Sequence, residues 1–201
     1  MKEKLWMNIL LVSVVTCIVQ AVRVYAMPEC FLGVDFIRLT EMNPWLSGVT
    51  VVFAWLNVVV SFLLIALFLW GCCRILYSSE PLGTPTFSRF LYATLCAEWT
   101  SLVMGALLII LYACGVPADI RASADSLLYF FDIDRFDLWM QVPLRALSLT
   151  TLVYIAALVF SIHRTVQYTF RQSVDLTLCA YVVPNFVLTL LSMMVAMMQG
   201  V

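Results

Sequence analysis

Charged residues are scarce in this sequence. They make up 11% of its 201 residues, whereas 64% are hydrophobic and the mean hydropathy is +1.01. A soluble domain is nearer half apolar and a quarter charged, so this chain has too little polar surface to cover a water-soluble particle of its size. A lipid bilayer is therefore the expected partner of much of its surface. The net charge of −1 provides no basic face, and we expect no binding to nucleic acid.

The residues that usually carry catalysis or hold cofactors are scarce as well. The single histidine, His163, excludes bis-histidine haem ligation within this chain and argues against a zinc centre. No Gly-rich phosphate loop, nucleophile elbow or H-E-x-x-H motif occurs. The seven cysteines lie mostly inside apolar runs and form no C-x-x-C pair, which favours small buried thiols over a disulfide framework. We expect neither an enzyme nor a metal or other cofactor.

Long apolar runs, in contrast, are abundant. A helix needs about 20 apolar residues to cross the hydrocarbon layer of a bilayer, and five stretches qualify. They cover residues 5–27, 48–69, 90–114, 142–162 and 176–198. The sequence thus predicts an all-α, polytopic transmembrane helical bundle that forms one domain over the whole chain. An alternative for the first run is a cleaved signal peptide, because Val24-Tyr25-Ala26 is similar to a small-residue cleavage site.

The basic residues are distributed unequally between the loops. If the N-terminus is cytoplasmic, six basic residues lie inside, against three in the outer loops 28–47 and 116–141, which also carry eight acids. The inner six are Lys2, Lys4, Arg74, Arg89, Arg164 and Arg171. This asymmetry follows the positive-inside rule. It predicts a cytoplasmic N-terminus and an outer C-terminus, with the bacterial cytoplasmic (inner) membrane as the expected location.

Two segments of the chain echo each other. Thr86-Phe87 is followed eight residues after the threonine by Thr-Leu-Cys-Ala, and Thr169-Phe170 is followed by the same four residues at the same spacing. The offset between the copies is 83 residues, and both copies run outward from an inner loop. The echo favours a parallel repeat of helix hairpins, in which spans two and three correspond to spans four and five.

Glu98 is the clearest functional candidate among the polar residues of the predicted spans. An ionisable group at membrane depth is costly, and a short glutamate side chain cannot easily reach the interface. One interpretation is structural, with a hydrogen bond to Trp99, Thr94 or a neighbouring span. The other is a role in handling protons or cations. In the repeat alignment Glu98 corresponds to Tyr181.

Five further residues are candidate intramembrane functional positions. Arg23 and Arg145 lie near the outer ends of the first and fourth spans, where their long side chains can reach the interface. Asn57 and Asn185 are typical of residues that join helices by modest hydrogen bonds. Pro184 removes a backbone donor from the last span and predicts a kink beside Asn185.

Two stretches, residues 83–108 and 163–194, resemble the Yip family of five-span membrane proteins. The resemblance rests on a Gly/Thr-containing loop and a Phe–basic pair before the third span, a basic loop after the fourth, and a proline within the fifth. These elements are Gly83, Phe87, Arg89, Arg164, Phe170, Arg171 and Pro184. The N-terminal region of eukaryotic members, with its Asp-Leu-Tyr-Gly-Pro-like motif, has no counterpart here. The resemblance therefore implies a compact prokaryotic type and carries over neither Rab binding nor Golgi trafficking.

Two functions follow as hypotheses. The first is a non-enzymatic, Yip-like protein that organises the membrane or partner proteins, with membrane-protein partners or further copies of itself. The second is a small transporter or channel subunit in which Glu98, Asn57, Asn185 and the Pro184 kink line a path.

Overall fold

The computed structural model describes residues 2–26, 43, 45–77, 85–116 and 137–199. Their helices are α1 (Lys2–Ala26), α2 (Trp45–Leu76), α3 (Phe87–Ala113), α4 (Leu138–Ala146), α5 (Leu149–Val166), α6 (Phe170–Thr177), a π-helical turn (Leu178–Val182) and α7 (Val183–Gln199). Five segments are long and apolar enough to cross a membrane: Leu5–Tyr25, Trp45–Leu76, Phe87–Ala113, Leu149–Val166 and Phe170–Met198. The structure confirms an all-α helical bundle of the multi-pass membrane type. Most of the two predicted outer loops, 28–47 and 116–141, lies outside the described residues.

The fourth span begins later than predicted. The chain leaves helical geometry at Leu147, with φ −81° and ψ 79°, and α5 begins at Leu149 instead of residue 142. Ser148 causes this boundary, because its hydroxyl accepts a hydrogen bond from the Thr151 backbone N–H at 3.0 Å and caps the new helix. Residues 138–146 form the separate helix α4, which packs against α7.

The fifth span begins earlier than predicted and is not a regular helix. Thr169 caps α6 in a reciprocal capping box with Gln172, so the span starts at Phe170 instead of residue 176. The helix then widens into the π turn Leu178–Val182, which ends two residues before Pro184. The Val183 N–H donates to the Leu178 carbonyl. A proline lacks the N–H that closes a regular turn, and a wider turn accommodates that loss.

The third span, α3, is the centre of the bundle. One buried cluster joins it to α2, α5 and α6, and includes Phe90, Leu158 and Leu176. A second cluster joins it to α1 and α2, and includes Val12 and Leu95. Because both clusters share α3, this helix has buried positions along much of its length.

Helix α1 is docked on α2 and α3 by close packing and two indole hydrogen bonds. Trp55 Nε1 donates to Ser13 Oγ at 2.8 Å, and Trp99 Nε1 donates to Asn8 Oδ1 at 3.4 Å. Gly105 permits a close approach, since a Cβ at this position would lie 3.2 Å from a methyl carbon of Val19. Small residues at such crossings are typical of membrane helices.

The two echoing segments have similar local structure at their start. Thr86 and Thr169 are both helix N-caps with extended backbone geometry. Eight residues later, Thr94 and Thr177 are both buried, and each hydroxyl donates to the carbonyl four residues before it, at 2.9 and 2.8 Å. The copies then diverge, because the second enters the π turn. The duplicated hairpin itself stays a prediction.

Candidate functional site

A cavity of about 230 Å³, partly open at the surface of the bundle, lies between α2, α3, α5 and the π turn. Seven of its nine lining residues carry a hydroxyl or a carboxyl group. The nine are Val58, Ser61, Ile65, Glu98, Ser101, Thr150, Thr151, Tyr154 and Tyr181. Such a concentration of polar groups is unusual within membrane-spanning helices, where each unpaired polar group is costly.

The cavity lies at mid-depth in the bundle. Glu98 is 11 residues after the start of α3 at Phe87, so it is roughly 16 Å along the helix axis. Tyr181 is 11 residues after Phe170 and lies at a similar height, roughly 16 Å. Tyr154 is 12 residues before the end of α5 at Val166, roughly 18 Å from the same end of the bundle. Three helices thus bring their polar residues to one level.

Among the described residues that line this cavity, Glu98 alone is charged. It is half-buried, and within the described part of the chain no hydrogen bond or ion pair joins it to another residue. The two predicted partners are engaged elsewhere: the Thr94 hydroxyl donates to the Phe90 carbonyl, and the Trp99 indole donates to Asn8. The interpretation that Glu98 is held by Thr94 or Trp99 is therefore wrong. Its carboxyl group instead faces the cavity wall shared with two tyrosines.

The two tyrosines, Tyr154 and Tyr181, are packed against each other. Their ring centroids are 5.1 Å apart and the ring planes are inclined by 41°. Tyr154 is only 4% exposed, and its hydroxyl oxygen is buried without a hydrogen-bond partner among the described residues. Glu98 lines the same cavity as both tyrosines. An acidic group and an unpartnered phenol thus share one small space.

The π turn places Tyr181 at the cavity. Tyr181 lies within this widened turn, and its carbonyl accepts a hydrogen bond from Asn185 Nδ2 at 2.8 Å. This side-chain bond ties Asn185 to the turn that precedes Pro184. Pro184 and Asn185 follow Tyr181 in the chain and do not line the cavity.

Among the predicted candidates whose side chains the structure describes, only Glu98 lines the cavity. Asn57 is exposed on α2, one helical turn from Ser61, and Asn185 is exposed on α7. Arg23 lies half-buried in the last turn of α1, a helix that contributes nothing to the described cavity wall. Arg145 lies in α4, and its side chain is outside the described residues. Asn57 and Asn185 thus do not line the described cavity with Glu98.

Sequence reasoning missed most of the cavity wall. Ser61, Ser101, Thr151 and Tyr154 are ordinary residues in apolar helices, and no spacing rule singles them out. One signal did exist, because the repeat alignment pairs Glu98 with Tyr181, and both residues line this cavity. In the described part of the chain, no group of three or more His, Cys, Asp or Glu residues lies together.

Comparison with known proteins adds no relative. No protein-family model, curated protein or solved structure matches this chain.

Proposed function

We propose that this chain is a non-enzymatic, multi-pass membrane protein that organises partner membrane proteins through the exposed face of its last helix. One observation carries the proposal. Asn185 and Ser192, which are polar and lie on the same face of α7, are exposed on the outside of the bundle. Polar side chains within membrane spans usually join helices to one another instead of facing lipid.

Helix α7 is the least covered of the spanning segments. In the most apolar stretch of its span, only 6% of the residues are buried, whereas 28% are buried in the corresponding stretch of α3. Among the described elements, α7 packs mainly on α4 and on the π turn before it. Ten of its large apolar side chains are exposed, including Phe186, Leu188 and Met194. This helix therefore has the most surface left for a partner helix.

The polar face of α7 is suited to contact between helices. Asn185, Thr189 and Ser192 are spaced by four and three residues, which places them on one side of the helix. Each side chain donates to the carbonyl four residues before it, at 2.8, 2.8 and 2.9 Å. Their oxygens keep acceptor capacity for a second bond, which a neighbouring helix can supply.

A crosslinking experiment in native membranes tests this proposal. A photoreactive residue at Leu188, beside the polar face, is expected to capture a defined partner or a second copy of the chain, identified by mass spectrometry. The double variant Asn185→Leu/Ser192→Leu is expected to reduce that adduct severalfold. The matched control Val187→Leu/Met194→Leu changes the opposite side of the same helix and is expected to leave it unchanged. Adducts with lipid alone, or equal capture by both double variants, would contradict the proposal.

The Yip-like resemblance, the bacterial membrane and the cytoplasmic N-terminus remain parts of this proposal. They are supported by the loop motifs and by the distribution of basic residues, of which Lys2, Lys4 and Arg89 lie on the proposed inner side. The structure supports the coarser statement of a multi-pass protein with five apolar helices.

A second candidate, a small transporter or channel subunit, is favoured by the mid-depth cavity around Glu98. Substrate sites of many transporters lie at this depth, at the interface between repeats. Reconstitution into liposomes, with flux compared between the wild type and Glu98→Gln, tests it. Absence of flux, or flux that is indifferent to Glu98, counts against transport.

A further inference from the structure

We propose that the cavity between α2, α3, α5 and the π turn binds a small organic ammonium ion, with Glu98 as its counter-ion. This site lies on a different surface from the polar face of α7, and it goes beyond the organising function. It requires binding only, so it holds whether or not the ligand crosses the membrane.

The charge of the cavity wall is the first argument. Glu98 is its one charged lining residue, and the described part of the chain supplies neither an ion pair nor a hydrogen bond for it. A carboxyl group partly removed from water is stabilised either by taking up a proton or by pairing with a cation. A cation in the cavity supplies that pairing.

The second argument is independent of Glu98. The Tyr154 hydroxyl is buried and has no hydrogen-bond partner within the described residues, although buried polar groups are nearly always paired. Tyr154 lines the same cavity as Glu98. The hydroxyl oxygen has almost no accessible surface, so a ligand in the cavity engages it only when the Tyr154 side chain turns toward the cavity.

The size and chemistry of the wall indicate the class of ligand. A volume of about 230 Å³ corresponds to roughly seven water molecules, and therefore to a ligand of similar heavy-atom number. The hydroxyl oxygens of Ser61, Ser101 and Thr151 are acceptors for ammonium N–H groups. The ring of Tyr181, which lines the cavity and is only half-buried, is an aromatic group of the kind that attracts organic cations.

A divalent metal ion fits this wall less well. Such ions need several carboxylate or carbonyl ligands, and the cavity offers a single carboxylate. The apolar residues Val58 and Ile65 on α2 instead suit the alkyl part of an organic cation.

Calorimetric titration of the full chain in zwitterionic nanodiscs tests the site, with n-butylammonium as the probe. The wild type is expected to show saturable binding that empty nanodiscs lack, and neutral n-butanol is expected not to compete. Glu98→Gln removes the counter-ion and is expected to weaken binding by at least about tenfold. Asp175→Asn, which removes an exposed carboxylate from α6, is the matched control and is expected to stay within about twofold of the wild type.

A second variant keeps the test decisive if Glu98→Gln does not fold. Ser61→Leu fills the cavity from α2 and leaves the charge in place, and it is expected to abolish saturable binding. The proposal is overturned if the wild type binds no butylammonium, if folded Glu98→Gln binds as tightly as the wild type, or if butanol competes equally well. Binding without flux in the liposome assay would support this site and refute the transporter candidate.

Discussion

Replacing Tyr154 by phenylalanine is expected to stabilise this protein. The substitution removes one hydroxyl group and keeps the ring, which packs against Tyr181 at 5.1 Å and within the buried cluster that includes Leu158. The hydroxyl oxygen that is lost is buried and has no hydrogen-bond partner among the described residues. The folded protein therefore loses an unfavourable desolvation and little packing.

The expected magnitude follows from the cost of an unmade hydrogen bond. Leaving a buried polar group unsatisfied costs about 1–3 kcal/mol. The small void left by the missing oxygen offsets part of the gain, because the surrounding residues relax only partly. We expect a net increase of about 1 kcal/mol in the free energy of unfolding, or about fivefold in the equilibrium constant, in the absence of ligand.

The assay is reversible unfolding in mixed micelles of a mild detergent and dodecyl sulfate, followed by circular dichroism. Thr16→Val is the matched variant, because the Thr16 hydroxyl is also buried without a partner in the described part of the chain and lies on α1, away from the cavity. Both substitutions are expected to stabilise. Destabilisation by Tyr154→Phe alone, by about 1 kcal/mol or more, would refute the reasoning and show that the Tyr154 hydroxyl is hydrogen-bonded.

Three further predictions concern helix packing and orientation. Gly105→Ala is expected to destabilise the bundle by about 1 kcal/mol in the same assay, because the new methyl group meets Val19 at 3.2 Å. The control Gly71→Ala has nothing within 4 Å of the new methyl group and is expected to be neutral or stabilising. Equal effects of the two substitutions would contradict the close approach. Trp55→Phe removes the 2.8 Å indole hydrogen bond to Ser13 on α1 and is expected to lower the free energy of unfolding by about 0.6–1.7 kcal/mol. A double-mutant cycle with Ser13 that shows no coupling would count against that bond. Cys114 is exposed at the end of α3, which the predicted orientation places outside. It is therefore expected to react with a membrane-impermeant maleimide in intact cells once the other six cysteines are replaced by serine. Labelling only after permeabilisation would reverse the predicted orientation.

Sequence patterns located the spans well and their ends less well. The third span was predicted at residues 90–114 and is a helix over Phe87–Ala113, because a long apolar run between polar loops is a local signal. The fourth span was predicted seven residues too early. Apolar residues continue across the boundary there, and the cap at Ser148 is visible only as one serine among many.

The candidate site was predicted only in part. Glu98 stood out because an acidic residue in an apolar span is rare, and the structure places it in the cavity. Its surroundings were not predictable, since they depend on which faces of α2 and α5 turn toward α3. Asn57 illustrates the limit, because Asn57 and Ser61 are both exposed polar residues of α2, one turn apart, and only Ser61 lines the described cavity.

The sequence by itself determined that this protein is a helical membrane protein with five apolar spans, because hydrophobic length and composition are properties of each segment alone. Only the tertiary structure decided that α3 is central, that α7 is largely uncovered and that Glu98 shares a cavity with two tyrosines. In a bilayer the lipid is as apolar as the helix surfaces, so hydrophobicity does not choose which faces pack together. Close fits such as Gly105 against Val19, and hydrogen bonds such as Trp55 to Ser13, make that choice.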